Sequence, residues 1–189
     1  MATPDEMMSA VTASLAQRTG RDLDGWLALV RAGGIDPLDQ NAVRRWLKGV
    51  HGLPQNSQWA VADAAARAAG WARPTVEEHV AAQYVGAKAA LRPIHDAVAA
   101  LALSCGDDVT LEGRGGYTPF VRRRQFAATA AAARDRVDLG LRFTDAPASG
   151  RVRPAKAPGQ STHVVALRSV TDVDDEVEAL LRAAYDQNG

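Results

Sequence analysis

The chain has a single cysteine, Cys105, among its 189 residues, so no disulfide can form within it and no cluster of thiolates can hold a metal. Cys105 closes the apolar run 98–103, and a free cysteine in that setting behaves as a small buried hydrophobe. Aromatic residues are scarce at 5% and alanine is abundant, so the expected cores are built from small side chains. Net charge is absent as well. Twenty-two basic residues balance 22 acidic ones, which excludes wholesale attraction to nucleic acid or to a membrane surface and leaves only local contacts. No apolar stretch approaches the roughly 18 residues that span a bilayer. The opening Met1-Ala2-Thr3-Pro4-Asp5-Glu6 lacks the basic-then-apolar pattern of a signal peptide. A soluble, cytoplasmic protein is the expectation. Lysine is rare too: Lys48, Lys88 and Lys156 are outnumbered by arginines, a bias typical of GC-rich coding that weakens any argument from arginine alone.

What is present divides the chain. Thr3-Pro4-Asp5-Glu6 reads as a capping box with proline at the first helical position, predicting a helix to about Arg18 that Gly20 ends. Asp22 can cap a second helix with Leu23, Trp26, Leu27 and Val30 on one face, stopped by Gly33-Gly34. Asp36-Pro37 opens a third, with Leu38, Val43, Trp46, Leu47 and Val50 on one face and Arg44, Arg45 and Lys48 on others. A fourth runs from Pro54 or Asn56 through Ala69, with Trp59 and several alanines inward. Residues 1–72 thus read as a small four-helix unit, and Trp71-Ala72-Arg73-Pro74-Thr75 as a junction.

Residues 75–189 read as an α+β domain. Two helices are expected over 76–85 and 88–104, with Pro93 tolerable near a start or at a kink. The period then becomes alternating, with strands over 109–112, 117–122, 125–131, 136–143 and, after a long mobile loop at 145–160, 162–168. The expected architecture is a curved antiparallel sheet of about five strands flanked by helices. Alternation is cleanest at Val137, Leu139, Leu141 and Phe143 against Arg136, Asp138, Gly140 and Arg142. Pro119 marks the second strand as an edge or bulged strand. Thr171-Asp172-Val173-Asp174 caps a final helix with Val177, Leu180, Leu181, Ala184 and Tyr185 inward.

Charge is local. From Arg114 to Lys156 ten basic residues face three acids, whereas from Asp172 to Asp186 six acids face Arg182 alone. Arg122-Arg123-Arg124 falls where two strands join, and arginines are poor turn formers. One reading is an anion site for phosphate or carboxylate built from Tyr117, Arg122, Arg124 and Arg142, with Arg123 and His163 in support. Charged protection of a strand edge is the other. A second candidate lies in the helical unit. There His51-Gly52-Leu53-Pro54 separates two helices in a helix-turn-helix-like layout, and Gln55 and Asn56 open the second helix. Those amides could read base edges while Arg44, Arg45 and Lys48 meet phosphates. Against that, residues 1–74 hold eight basic and seven acidic side chains, little for a DNA-binding module.

His51, His79, His95 and His163 show no metal-ligand spacing, and no metal or cofactor is expected. Asp108, Glu112 and Arg114 only faintly follow a nuclease pattern, and Gly113, Gly115 and Gly116 mark a flexible turn. Ser161-Thr162-His163 cannot act as one group along a strand. The leading expectation is a non-enzymatic binding protein for an anionic small molecule or nucleic-acid phosphate. A DNA-binding regulator is the alternative, and an enzyme acting on an acidic metabolite the third reading.

With these residues laid out, the chain resembles a two-part bacterial arrangement: domain of unknown function 4287 joined to domain of unknown function 5655. The first part rests on Thr19-Gly20-Arg21-Asp22-Leu23, Trp26, Trp46-Leu47-Lys48 and His51-Gly52-Leu53. The second rests on Leu91-Arg92-Pro93-Ile94, Gly106-Asp107-Asp108-Val109, Tyr117, the run 122–127, the run 136–141, Thr162-His163 and Ala184-Tyr185. The resemblance implies the same division into two parts and carries no activity with it.

Overall fold

The computed structural model describes the backbone of residues 4–189 and the side chains from residue 9 onward. The capping box expected at Thr3 lies outside the described residues. The chain divides into two compact units, Met1–Arg73 and Pro74–Gly189.

The first unit is helical: α1 (Pro4–Ala13), α2 (Leu15–Thr19), α3 (Leu23–Ala32), α4 (Gln40–His51) and α5 (Gln55–Ala68). The single first helix expected from sequence is two, broken at Ser14. Its hydroxyl donates back to the carbonyls of Ala10 (3.2 Å) and Val11 (3.1 Å), a competition with helical bonding that serine offers and alanine does not. α4 begins four residues later than Asp36 suggests. The Asp36 carboxylate accepts from the Leu38 amide in a turn, and Asp39 is the side chain that caps the helix through the Ala42 amide. Leu15, Trp26, Val30, Val43, Leu47, Leu53 and Val61 form the core. Two residues assigned to the inner face of α4, Leu38 and Val50, are exposed, and so is Trp59 of α5.

The second unit opens with α6 (Val76–Gln83), where Thr75 and Glu78 complete a reciprocal capping box. A 3₁₀ segment (Gly86–Leu91) leads into α7 (Arg92–Ser104), so the helix expected from residue 88 starts at Arg92 with Pro93 in its first turn. The strands are β1 (Thr110–Leu111), β2 (Thr118–Val121), β3 (Gln125–Ala130), β4 (Val137–Leu141), β5 (Arg153–Pro154) and β6 (His163–Leu167). The final helix is α8 (Asp175–Asp186). They form an α+β fold with one antiparallel sheet in the order β1-β2-β3-β4-β6-β5.

The structure refines three expectations. The sheet has six strands, because Arg153–Pro154 inside the expected loop pairs with β6. Of the two alternatives for β2, the edge fails, since it is hydrogen-bonded to both β1 and β3, and the bulge holds, the register shifting after Phe120 beside Pro119. α8 is capped by Asp174, whose side chain accepts from the Val177 amide, whereas residues 170–172 form a separate 3₁₀ turn.

The bulge has a packing consequence. The register runs Phe120 opposite Ala127 and Val121 opposite Gln125, leaving Phe126 as the extra residue. A bulge lets two successive side chains share one face, and Phe126 and Ala127 are both fully buried in the same core. That core also takes Val137, Leu139 and Leu141 of β4, Val165 and Leu167 of β6, and the inner faces of α7 and α8. The other sheet face is covered by the segment 157–161. A Cβ added at Gly140 would collide with Pro158 and Ser161, so this position accepts only glycine without displacing the segment.

Candidate anion-binding concavity

The arginines of the strand-joining turn have different surroundings. Arg122 lies against α8. Its guanidinium stacks 4.0 Å from the Tyr185 ring centre, donates to the Asp108 carboxylate at 2.9 Å and reaches the Tyr185 carbonyl at 3.3 Å. The Tyr185 hydroxyl donates to the same Asp108 at 2.7 Å. Those two donors, the tyrosine first, hold the Asp108 carboxyl below its ordinary value. Arg142 bonds instead to Gln160 at 2.6 Å, and Tyr117 sits beside Gly159, both on the face covered by 157–161. Arg123 and Arg124 are exposed, and the Arg124 carbonyl accepts the Arg122 amide in the turn. His163 packs beside Phe143 and pairs with the Thr162 hydroxyl at 2.9 Å, so the hydroxyl and imidazole expected on opposite faces of a strand do meet, because Thr162 lies just before β6 begins at His163. Tyr117 and Arg142 thus share a sheet face, while Arg122 engages a different set of partners.

The helical-unit residues are placed otherwise. Arg44, Arg45 and Lys48 of α4 and Gln55 of α5 line a single cavity of about 530 Å³, with Asn41, Leu53 and Gln58 completing its wall. No carboxylate lines it. The sequence builds this concavity through the α4–α5 turn. Gly52 adopts φ 64°, a left-handed conformation that glycine enters freely. Its amide bonds to the Lys48 carbonyl, and the Leu53 amide reaches back to Leu47, a six-to-one closure that returns the chain sharply. Leu53 then buries in the unit's core, and its carbonyl accepts from Gln58 Nε2 at 2.6 Å. This fixes where α5 starts relative to α4.

No side chain caps the first-turn amides of α5, which lie at the end of the helix where the peptide dipoles leave partial positive charge; Gln55 and Asn56 are exposed there and Ser57 is buried. Arg44 lies over Trp59, its Cζ 3.4 Å from the ring centre, which accounts for the exposure of that tryptophan: it carries a cation rather than joining the core. Arg44 also donates to Asn41 Oδ1 at 3.3 Å, while its Nε is buried without a partner. Asn56 is exposed in the first turn of α5, outside the cavity wall. Gln58, the last of the four polar residues that open α5 in the sequence, joins Gln55 in the wall because its spacing of three places both amides on one helical face.

The second unit holds a core histidine, one of the two placements, surface or core, that the sequence left open for its histidines. His95 of α7 is 2% exposed and pairs through Nδ1 with the Thr129 hydroxyl of β3 at 2.7 Å. Burial lowers its pKa to about 4, so the ring is neutral near pH 7. Tyr84 packs against it with a buried hydroxyl, and burial pushes that phenol up to about 12, with the Thr129 hydroxyl opposing. Cys105 is buried, and burial raises its thiol pKa, the condition of an unreactive cysteine. Among the described residues no group of three or more His, Cys, Asp or Glu side chains is placed to hold a metal, and no helix is long and apolar enough to cross a membrane.

The comparisons with known proteins follow the same division. Residues 80–188 match the family described as Domain of unknown function (DUF5655), and the chain belongs to it. Residues 8–66 match a second family, Domain of unknown function (DUF4287). No curated protein and no solved structure matches the chain.

Proposed function

We propose that the chain is a non-enzymatic binding protein for a phosphate-bearing ligand, and that its site is the concavity between α4 and the start of α5. One observation carries this reading: Arg44, Arg45, Lys48 and the uncapped first turn of α5 converge on one cavity whose wall contains no acid. Phosphate suits such a place because guanidinium groups and uncapped helix amides both donate to its oxygens, and the helix dipole adds in the same direction. The anion chemistry anticipated for Tyr117, Arg122, Arg124 and Arg142 has less support, since Arg122 and Arg142 already have protein partners.

Nucleic-acid phosphate is one source of the ligand, favoured by Gln55 and Asn56 exposed at the start of α5. A labelled 12-base-pair duplex, followed by anisotropy at two salt concentrations, separates it from a small phosphate. Three phosphate contacts predict a log–log salt slope of about −3. A flat anisotropy response beside saturable binding of inorganic pyrophosphate identifies a small-molecule site. The double variant Arg45→Glu/Lys48→Glu, at two exposed positions, should abolish whichever response is seen. Binding that survives the double variant unchanged would refute the assignment.

A further inference from the structure

The cavity between α4 and α5 holds one polar group that a bare phosphate leaves unused. Gln58 lines it and is only 6% exposed, deep burial for a side chain that is costly to take out of water unless it is hydrogen-bonded. Its Nε2 donates to the Leu53 carbonyl at 2.6 Å. That bond identifies the nitrogen end of the carboxamide and holds the group in one orientation. Among the described residues no N–H or O–H donates to Gln58 Oε1, and this oxygen is not among the side-chain atoms sealed from solvent without a partner. It therefore keeps an opening. Because the rest of the side chain is buried and the residue lines the cavity, that opening is on the cavity.

An amide oxygen accepts hydrogen bonds and repels other acceptors, phosphate oxygens among them. The Asn41 oxygen in the same wall already accepts from Arg44 at 3.3 Å, and Gln55 is exposed. Gln58 Oε1 is thus the acceptor that the wall presents in a fixed place. Arg45 and Lys48 supply the opposite requirement, a partner with negative charge. The volume of about 530 Å³ admits more than a phosphate ion and falls in the range of small-molecule sites, roughly 300–1,000 Å³.

We infer that the ligand of this cavity is a phosphate ester whose organic part carries an N–H or O–H donor: the phosphate lies against Arg45 and Lys48, and the donor meets Gln58 Oε1. The inference rests on the phosphate reading above and adds the organic part. Such a donor is the amino group of a nucleobase or the hydroxyl of a sugar, and two matched pairs of probes distinguish them. Glycerol phosphate and propyl phosphate differ in their hydroxyls; adenosine monophosphate and purine riboside monophosphate differ in the amino group. Each is titrated into the full chain at pH 8, where the phosphate is fully ionised and offers no donor of its own. In at least one pair the donor-bearing member should bind about fivefold more tightly, the worth of one hydrogen bond, and should shift the Gln58 side-chain amide signals. The pair that shows the preference names the source. Gln58→Met should erase it and leave the donor-free member unchanged. Should that variant fail to fold, the wild-type pairs decide by themselves. Equal affinity within both pairs, or a preference that survives Gln58→Met, would overturn the inference and leave the phosphate reading standing. Absence of binding by all four probes and by pyrophosphate would overturn both.

Discussion

Lowering the pH should weaken the α+β unit through one residue, His95. The ring is buried between Tyr84, Phe120 and Thr129. Burial is the main cause of its low pKa, with Arg92 lowering it further and Asp96 and Glu77 opposing. In the unfolded chain a histidine titrates near 6.5, whereas here it does so near 4. Between those values the unfolded state binds the extra proton, so stability is fully present above about 6.5 and falls as the pH drops towards 4. At about 1.4 kcal/mol per pH unit, the full loss is about 3 kcal/mol. The comparison is wild type against His95→Gln, whose side chain does not titrate. All four tryptophans lie in residues 1–73, so their fluorescence reports on the other unit. Urea unfolding of this one is better followed through the amide signals of β3 and β4. The wild type should lose about 3 kcal/mol relative to the variant between pH 7 and pH 4. Parallel pH profiles for the two proteins, or a His95 imidazole titrating near 6.5, would refute the reasoning.

Three further outcomes follow from the packing. Gly140→Ala places a methyl against Pro158 and Ser161 and should destabilise the second unit by about 1–3 kcal/mol, with the largest amide shifts in 157–161. Tyr185→Phe removes the main hydrogen bond that lowers the Asp108 pKa, so the Asp108 carboxyl, followed by its carbon chemical shift, should titrate closer to the ordinary aspartate value. Asp22→Ala deletes the side-chain cap of α3 and should reduce the stability of the helical unit by about 1 kcal/mol, as tryptophan fluorescence in urea would report.

Local signals made much of the fold legible. The alternation in β4 gave its buried face correctly: Val137, Leu139 and Leu141 are all fully buried. The inner face of α8 also follows its helical period, with Val177, Leu180, Leu181 and Ala184 buried. What escaped was set by partners distant in sequence. Arg153 and Pro154 form a strand only because β6 lies beside them, and nothing in a stretch rich in proline and glycine announces that pairing. Trp59 carries the pattern of a core residue, yet Arg44, from another helix, gives it a place at the surface.

The two candidate sites divide on the same ground. Arg122 looked available because its partners, Asp108 and Tyr185, are 14 and 63 residues away. Arg44, Arg45, Lys48 and Gln55 fall close together in sequence, and the glycine that turns the chain between them is readable as a helix stop. Their convergence on one cavity is therefore a local consequence of capping chemistry.

The most direct test of the central proposal is an amide NMR titration of the full chain with inorganic pyrophosphate at low salt. Saturable shifts should be largest at Gln55, Asn56, Ser57 and Gln58, with the side-chain N–H signals of Arg44 and Arg45 moving in step. Shifts centred instead on Arg122–Arg124 and Arg142, or small shifts spread over the surface arginines without saturation, would contradict it.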